Sequence, residues 1–133
     1  MNTFARIFFQ IGIAALTSAT VQAAEANGGF LLGACKLTEA YIASGKLKPP
    51  DEEKFAIAYC LGLVEGTQQT MRTIEELLPK NSEYKTCWPK EMSAYDSIKI
   101  VNAFLIANPR LMEKDRVWLI ITALHSAYPC IQK

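Results

Sequence analysis

The chain has 133 residues, half of them apolar, with 14 basic against 13 acidic side chains and four cysteines. That length suits one small domain with a packed core. So even a charge balance gives no electrostatic case for nucleic acid or an anionic membrane as partner.

The first 23 residues read as a targeting segment. Arg6 precedes an apolar run from Ile7 to Leu16, broken only by Gln10 and Gly12, and a polar stretch ends with small residues Val21 and Ala23. This is the pattern of a secretory signal peptide, with those two residues at the −3 and −1 places of the cleavage site. The run is shorter than the ~20 residues a membrane-spanning helix needs. The expected mature domain is residues 24–133. It loses only Arg6 among the charged residues, so its net charge is zero. The predicted location is an exported compartment, the periplasm in a bacterium, with no membrane attachment after cleavage.

The mature chain has no Asn-Gly or Asp-Gly hairpin signal and no sustained period-2 run, so strands are not expected. Helical spacing predicts four helices. The first spans about Gly29 to Ser44, with Leu31, Ala34, Cys35, Thr38 and Tyr41 on one face. Gly45 suits the position just past its end, and Pro49-Pro50 forbid continuation. The second is expected to start at Asp51 as N-cap, with Glu52 and Glu53 in the first turn where the helix dipole favours them. It runs to Leu78 through Phe55, Ala58, Tyr59, Gly62, Met71 and Ile74, and Pro79 ends it. Gly62 and Gly66 lie four apart, each at a cost of about 1 kcal/mol against Ala. They are expected to allow close approach of another backbone, inside the chain or between subunits.

Residues 79–90, "PKNSEYKTCWPK", form a polar loop. The third helix is expected to begin at Ser93, which makes a capping-box pattern with Asp96. Tyr95, Ile98, Val101 and Leu105 form its stripe, and Asn108-Pro109 end it. The fourth spans about Lys114 to Tyr128, with Val117, Ile121, Leu124 and Tyr128 inward, and Pro129 stops it. The predicted fold is all-α, a small antiparallel bundle of about four main helices stapled by two disulfides.

Catalytic chemistry finds little support. Nucleophilic catalysis needs a general base, and His125 is the single histidine. A histidine beside the apolar stripe of a helix is most often a packed or edge residue. The cysteines lie 25, 27 and 43 residues apart with no C-x-x-C pair, unlike a zinc site. Gly-rich phosphate loops are absent, and Glu65, Glu75 and Glu76 read as a solvated helix face. No catalytic residue, metal or cofactor is assigned.

Four cysteines in a small exported chain read as two disulfides, with three possible connectivities. Cys35 lies nine residues before Ser44 and Cys60 nine residues after Asp51. In an antiparallel hairpin both are ~13 Å from the turn, so Cys35–Cys60 can pair. Cys87 precedes the third helix and Cys130 follows the fourth. In an up-down bundle these ends meet, so Cys87–Cys130 can pair. Each bridge is worth about 3–4 kcal/mol of loop-closure entropy.

Four stretches together carry a family resemblance: "GGFLLGAC" (28–35), "AYCLGLVEG" (58–66), "CWP" (87–89) and "ANPRLMEKDRVWLIITALHSAYPC" (107–130). In order and spacing the chain resembles the Rap/Tai family of type VI secretion immunity proteins. Tyr128, where Phe is common, is a mild departure. The resemblance implies a small all-α periplasmic domain, often a homodimer. It also implies a non-catalytic role: binding and inhibiting an effector, typically a peptidoglycan amidase, and so protecting the producer or its siblings.

The 79–90 loop is the expected contact surface: Lys80, Asn81, Ser82, Glu83, Tyr84, Lys85 and Trp88. Aromatic residues on an anchored loop are good hot-spot candidates. The alternative for Trp88 is packing on the end of the bundle. Two other functions compete: an envelope protein of the same fold with a different partner, and a small hydrolase using His125.

Overall fold

The computed structural model describes residues 27–80 and 82–130. The expected signal peptide and Asn81 lie outside the described residues. Four helices form: α1 (Gly28–Ala43), α2 (Lys54–Leu77), α3 (Ala94–Ala107) and α4 (Arg116–Ala127), with a short 3₁₀ turn at Pro109–Leu111 between the last two. No strand is present among the described residues, only isolated bridges at Asn27–Asp115 and Thr86–Pro129. The all-α bundle is as expected.

The helix ends show why these segments start and stop where they do. Asn27 caps α1, its side chain accepting from the Gly29 and Phe30 amides at 3.0 and 3.3 Å. Gly45 follows the helix at φ +65°, a conformation that glycine adopts without strain. The capping box of α3 forms: the Ser93 hydroxyl accepts from the Asp96 amide at 3.1 Å, and Asp96 accepts from the Ser93 amide at 3.2 Å. Asp115 caps α4 by accepting from the Val117 and Trp118 amides at 2.9 and 3.0 Å.

One expected cap is corrected. α2 begins at Lys54, not at Asp51, with Glu53 in the cap position and no side-chain cap bond. After Pro49-Pro50 the chain makes one turn before the helix, the Glu53 amide donating to the Pro50 carbonyl at 3.1 Å, and this turn takes up Asp51 and Glu52. Asp51 instead pairs with Lys54 on the surface. The first turn of α2 therefore contains no acidic residue.

α1 packs against α2 and α3, and both α2 and α3 pack against α4. Leu31, Val64, Ile98, Val101, Leu105, Leu119, Ile120 and Leu124 are fully buried between them. Each such side chain contributes about 1.5–3 kcal/mol by leaving water. Both disulfides pair as expected. Cys35–Cys60 joins α1 to α2 with Cα atoms 5.2 Å apart, and Cys87–Cys130 joins the α2–α3 loop to the end of α4 at 4.9 Å.

Two buried faces differ from expectation. In α2 the inward set is Ile57, Cys60, Val64, Thr67, Gln68 and Met71, while Phe55, Ala58, Gly62 and Ile74 face out. Cys60 sets the rotation, because its sulfur must meet Cys35 inside the bundle. The inward Gln68 is satisfied there, its Oε1 accepting from the Ser97 hydroxyl of α3 at 2.7 Å. In α4 the inward set is Leu119, Ile120, Ala123 and Leu124, leaving Val117 and Ile121 exposed. Residues 117–121 are all apolar, so spacing alone does not select a face.

Gly28 is a close approach that the sequence did not single out. Its amide donates to the Met112 carbonyl at 2.8 Å, and an added Cβ would fall 2.7 Å from Leu119 Cδ1 and 3.0 Å from the Met112 backbone. It seats the start of α1 against the turn that leads into α4.

Candidate functional site: the α2–α3 loop and its anchors

Pro79 ends α2, and the chain must then cross the end of the bundle to reach Ser93. It does so through local turns, the Ser82 amide donating to the Pro79 carbonyl at 3.0 Å and the Lys85 amide to the Ser82 carbonyl at 3.2 Å. The Tyr84 amide is 3.3 Å from the Ser82 hydroxyl, to which it donates. These bonds shape a compact turn from which Tyr84 projects, 73% exposed. Lys80 and Glu83 are exposed, and Ser82 and Lys85 are half-buried.

Beyond the turn, the loop is held on two sides. Towards α4, the Cys87 amide donates to the Tyr128 carbonyl at 2.8 Å, Thr86 bridges Pro129, and Cys87 is bonded to Cys130. Towards α2, both oxygens of Glu75 are used. Oε1 accepts the Thr86 amide at 3.1 Å, and Oε2 accepts the Trp88 indole N–H at 2.6 Å. Hydrogen bonds to a carboxylate are roughly twice as strong as those between neutral groups. The Arg72 guanidinium lies 4.7 Å from the centre of the Trp88 ring, in cation–π range. Trp88 is half-buried and packs on the core.

The structure thus separates the expected contact residues. Tyr84 stands out on the turn, whereas Trp88 is folded back with its one polar hydrogen engaged. Glu75, Thr86 and Arg72 complete the site and were missed by sequence reading. Arg72 and Glu75 stand one turn apart on α2. Glu75 and Trp88 meet across a loop whose path no local pattern encodes.

His125 meets this site from below, its Nδ1 3.3 Å from the Thr86 hydroxyl. The pair resembles a nucleophile and base, but Thr86 is only 5% exposed, and the nearby carboxylate holds the Thr86 amide and Trp88 instead of orienting the imidazole. Among the described residues no group of three His, Cys, Asp or Glu side chains could hold a metal, and no helix is long and apolar enough to cross a membrane.

A groove of about 370 Å³ runs between α2 and α4, with Gly62 and Gly66 in its lining and Leu63, Ile74, Val117 and Ile121 around them. The close internal packing expected at these glycines is not found: a Cβ added at either meets no atom within 4 Å.

No curated protein and no solved structure matches the chain significantly. The model of one family, described as Rap1a immunity proteins, matches residues 27–130. That match takes in all four helices, both disulfides and the anchored loop, so the chain belongs to the Rap1a immunity protein family.

Proposed function

We propose that the chain is a periplasmic immunity protein that binds and blocks a type VI secretion effector, a peptidoglycan amidase, and so protects the producer or its siblings. Family membership supports a binding role towards an effector protein rather than a catalytic one. The observation that carries the reading to a surface is the exposed turn bearing Tyr84, held between a disulfide on one side and a carboxylate on the other. A loop ordered before binding loses less entropy when it enters a partner's cleft. Residues 1–23 act, in this reading, as the signal peptide that delivers residues 24–133 to the periplasm.

The experiment is a periplasmic pull-down with the product of the neighbouring gene, using the wild-type chain and a variant lacking Lys80 to Lys85. Loss of capture with unchanged helical circular dichroism supports the loop as the contact surface. Unchanged affinity removes it from the interface. The homodimer implied by the resemblance belongs to the same reading, and analytical ultracentrifugation of the mature chain decides it: a purely monomeric species removes it.

A further inference from the structure

The two anchors of the α2–α3 loop differ in kind. The disulfide at Cys87, the bond from the Cys87 amide to the Tyr128 carbonyl and the Thr86–Pro129 bridge tie the loop to the end of α4. Glu75 acts from α2 on both sides of Cys87, taking the amide of Thr86 before it and the indole of Trp88 after it. Arg72, one turn back on the same helix, covers the ring face. Trp88 offers one hydrogen-bond donor and no acceptor, and that donor points to Glu75. Its polar contact is therefore spent inside the molecule.

We propose that Glu75 is the positioning residue of the partner-facing turn: through Thr86 and Trp88 it fixes where Ser82–Lys85, and Tyr84 above all, stand. Trp88 is then the handle by which α2 grips the loop, and Tyr84 is the aromatic residue left to contact a partner. This rests on the reading of the loop as the binding surface. Replacing Glu75 by Gln keeps the size of the side chain but turns one oxygen into a donor, which must face either the Thr86 N–H or the Trp88 N–H. One of the two bonds is lost and the hold of α2 on the loop is weakened.

The test is amide hydrogen exchange on the full mature chain, with wild type, Glu75→Gln, Trp88→Phe and the double variant. Amides 84–88 should exchange about tenfold faster or more in each single variant, as expected for losing a bond to a charged acceptor. Amides of α1 and α3 should be unchanged. The double variant should be no faster than the faster single one, because with the indole N–H gone the one remaining Gln oxygen is free to accept from the Thr86 amide. Wild-type exchange in Glu75→Gln, or fully additive effects, overturns the proposal. A second readout uses the purified product of the neighbouring gene as probe. Weaker binding by both Glu75→Gln and Tyr84→Ala supports the positioning role. Loss of binding in Tyr84→Ala alone overturns that role and keeps the loop as the interface. If both variants loosen nothing in binding while exchange in Glu75→Gln rises, the loop reading itself fails, and with it the positioning role, although the clasp is real.

Discussion

Trp88 Nε1 donates to Glu75 Oε2 at 2.6 Å, joining two residues 13 apart that belong to a loop and to the last turns of α2. The bond holds Trp88 against α2, while Tyr84, the other aromatic residue of the loop, faces solvent.

The two disulfides should differ in accessibility. Cys35 and Cys60 are fully buried, whereas Cys87 is exposed. Stepwise reduction with alkylation and mass spectrometry should open Cys87–Cys130 first and Cys35–Cys60 only as the bundle unfolds. Replacing Cys87 and Cys130 by Ser should lower unfolding free energy by about 4 kcal/mol, the loop-closure value for a separation of 43 residues. Chemical denaturation measures it.

Adjacent isoleucines on α4 should respond unequally to truncation. Ile120 is fully buried, while Ile121 is 40% exposed at the groove. Ile120→Ala should cost about 2–5 kcal/mol by leaving a cavity. Ile121→Ala should cost under about 1 kcal/mol. Urea midpoints of the two variants check the orientation of α4.

The glycines should separate into two kinds. Gly28→Ala forces a methyl group against Leu119 and the Met112 backbone, and should destabilise by about 1–3 kcal/mol through overpacking. Gly62→Ala and Gly66→Ala meet open space, and each should stabilise the isolated chain by about 0.5–1 kcal/mol through helix propensity. Thermal melts of the three variants give the signs.

Asp96 should make the start of α3 sensitive to acid. Hydrogen bonds from Ser93 and then the neighbouring Lys99 ammonium lower its pKa from 3.8 to about 2. Its folded-state pKa is depressed, so its stabilising contribution is fully present above about pH 4 and is lost as pH falls towards 2. Subtracting the melting profile of Asp96→Asn from that of wild type between pH 6 and pH 2 should show a difference that shrinks across this window. A difference that stays constant would contradict the cap.

Part of this molecule could be read directly from residue order. Pro79 and Pro129 follow closely on the ends of α2 and α4, whose continuation they block by removing donors and crowding the backbone. Gly45, Ser93 and Asp96 mark helix ends through contacts with near neighbours in the chain. The pairing of Cys35 with Cys60 was also open to reading, because equal distances from a turn put the two at the same height of an antiparallel hairpin, where they can pair. The cap of α2 lies two residues beyond Asp51, because Asp51 is as good a turn residue as a cap and here enters the turn closed between Pro50 and Glu53.

The inward faces of α2 and α4 were not legible. On α2 the inward stripe contains Thr67 and Gln68, and the Gln68 amide is satisfied there only because α3 supplies the Ser97 hydroxyl as a partner. On α4 five consecutive apolar residues satisfy several faces equally, and the neighbouring helices choose. The site divides the same way. Tyr84 and Trp88 could be singled out by residue type, but their opposite roles depend on Glu75, which resembled any solvated glutamate. Local signals determined where helices begin and end, because caps and breakers act within a few residues. Tertiary structure alone decided which faces are buried and which loop residues are held, because those outcomes depend on partners distant in the chain and close in space.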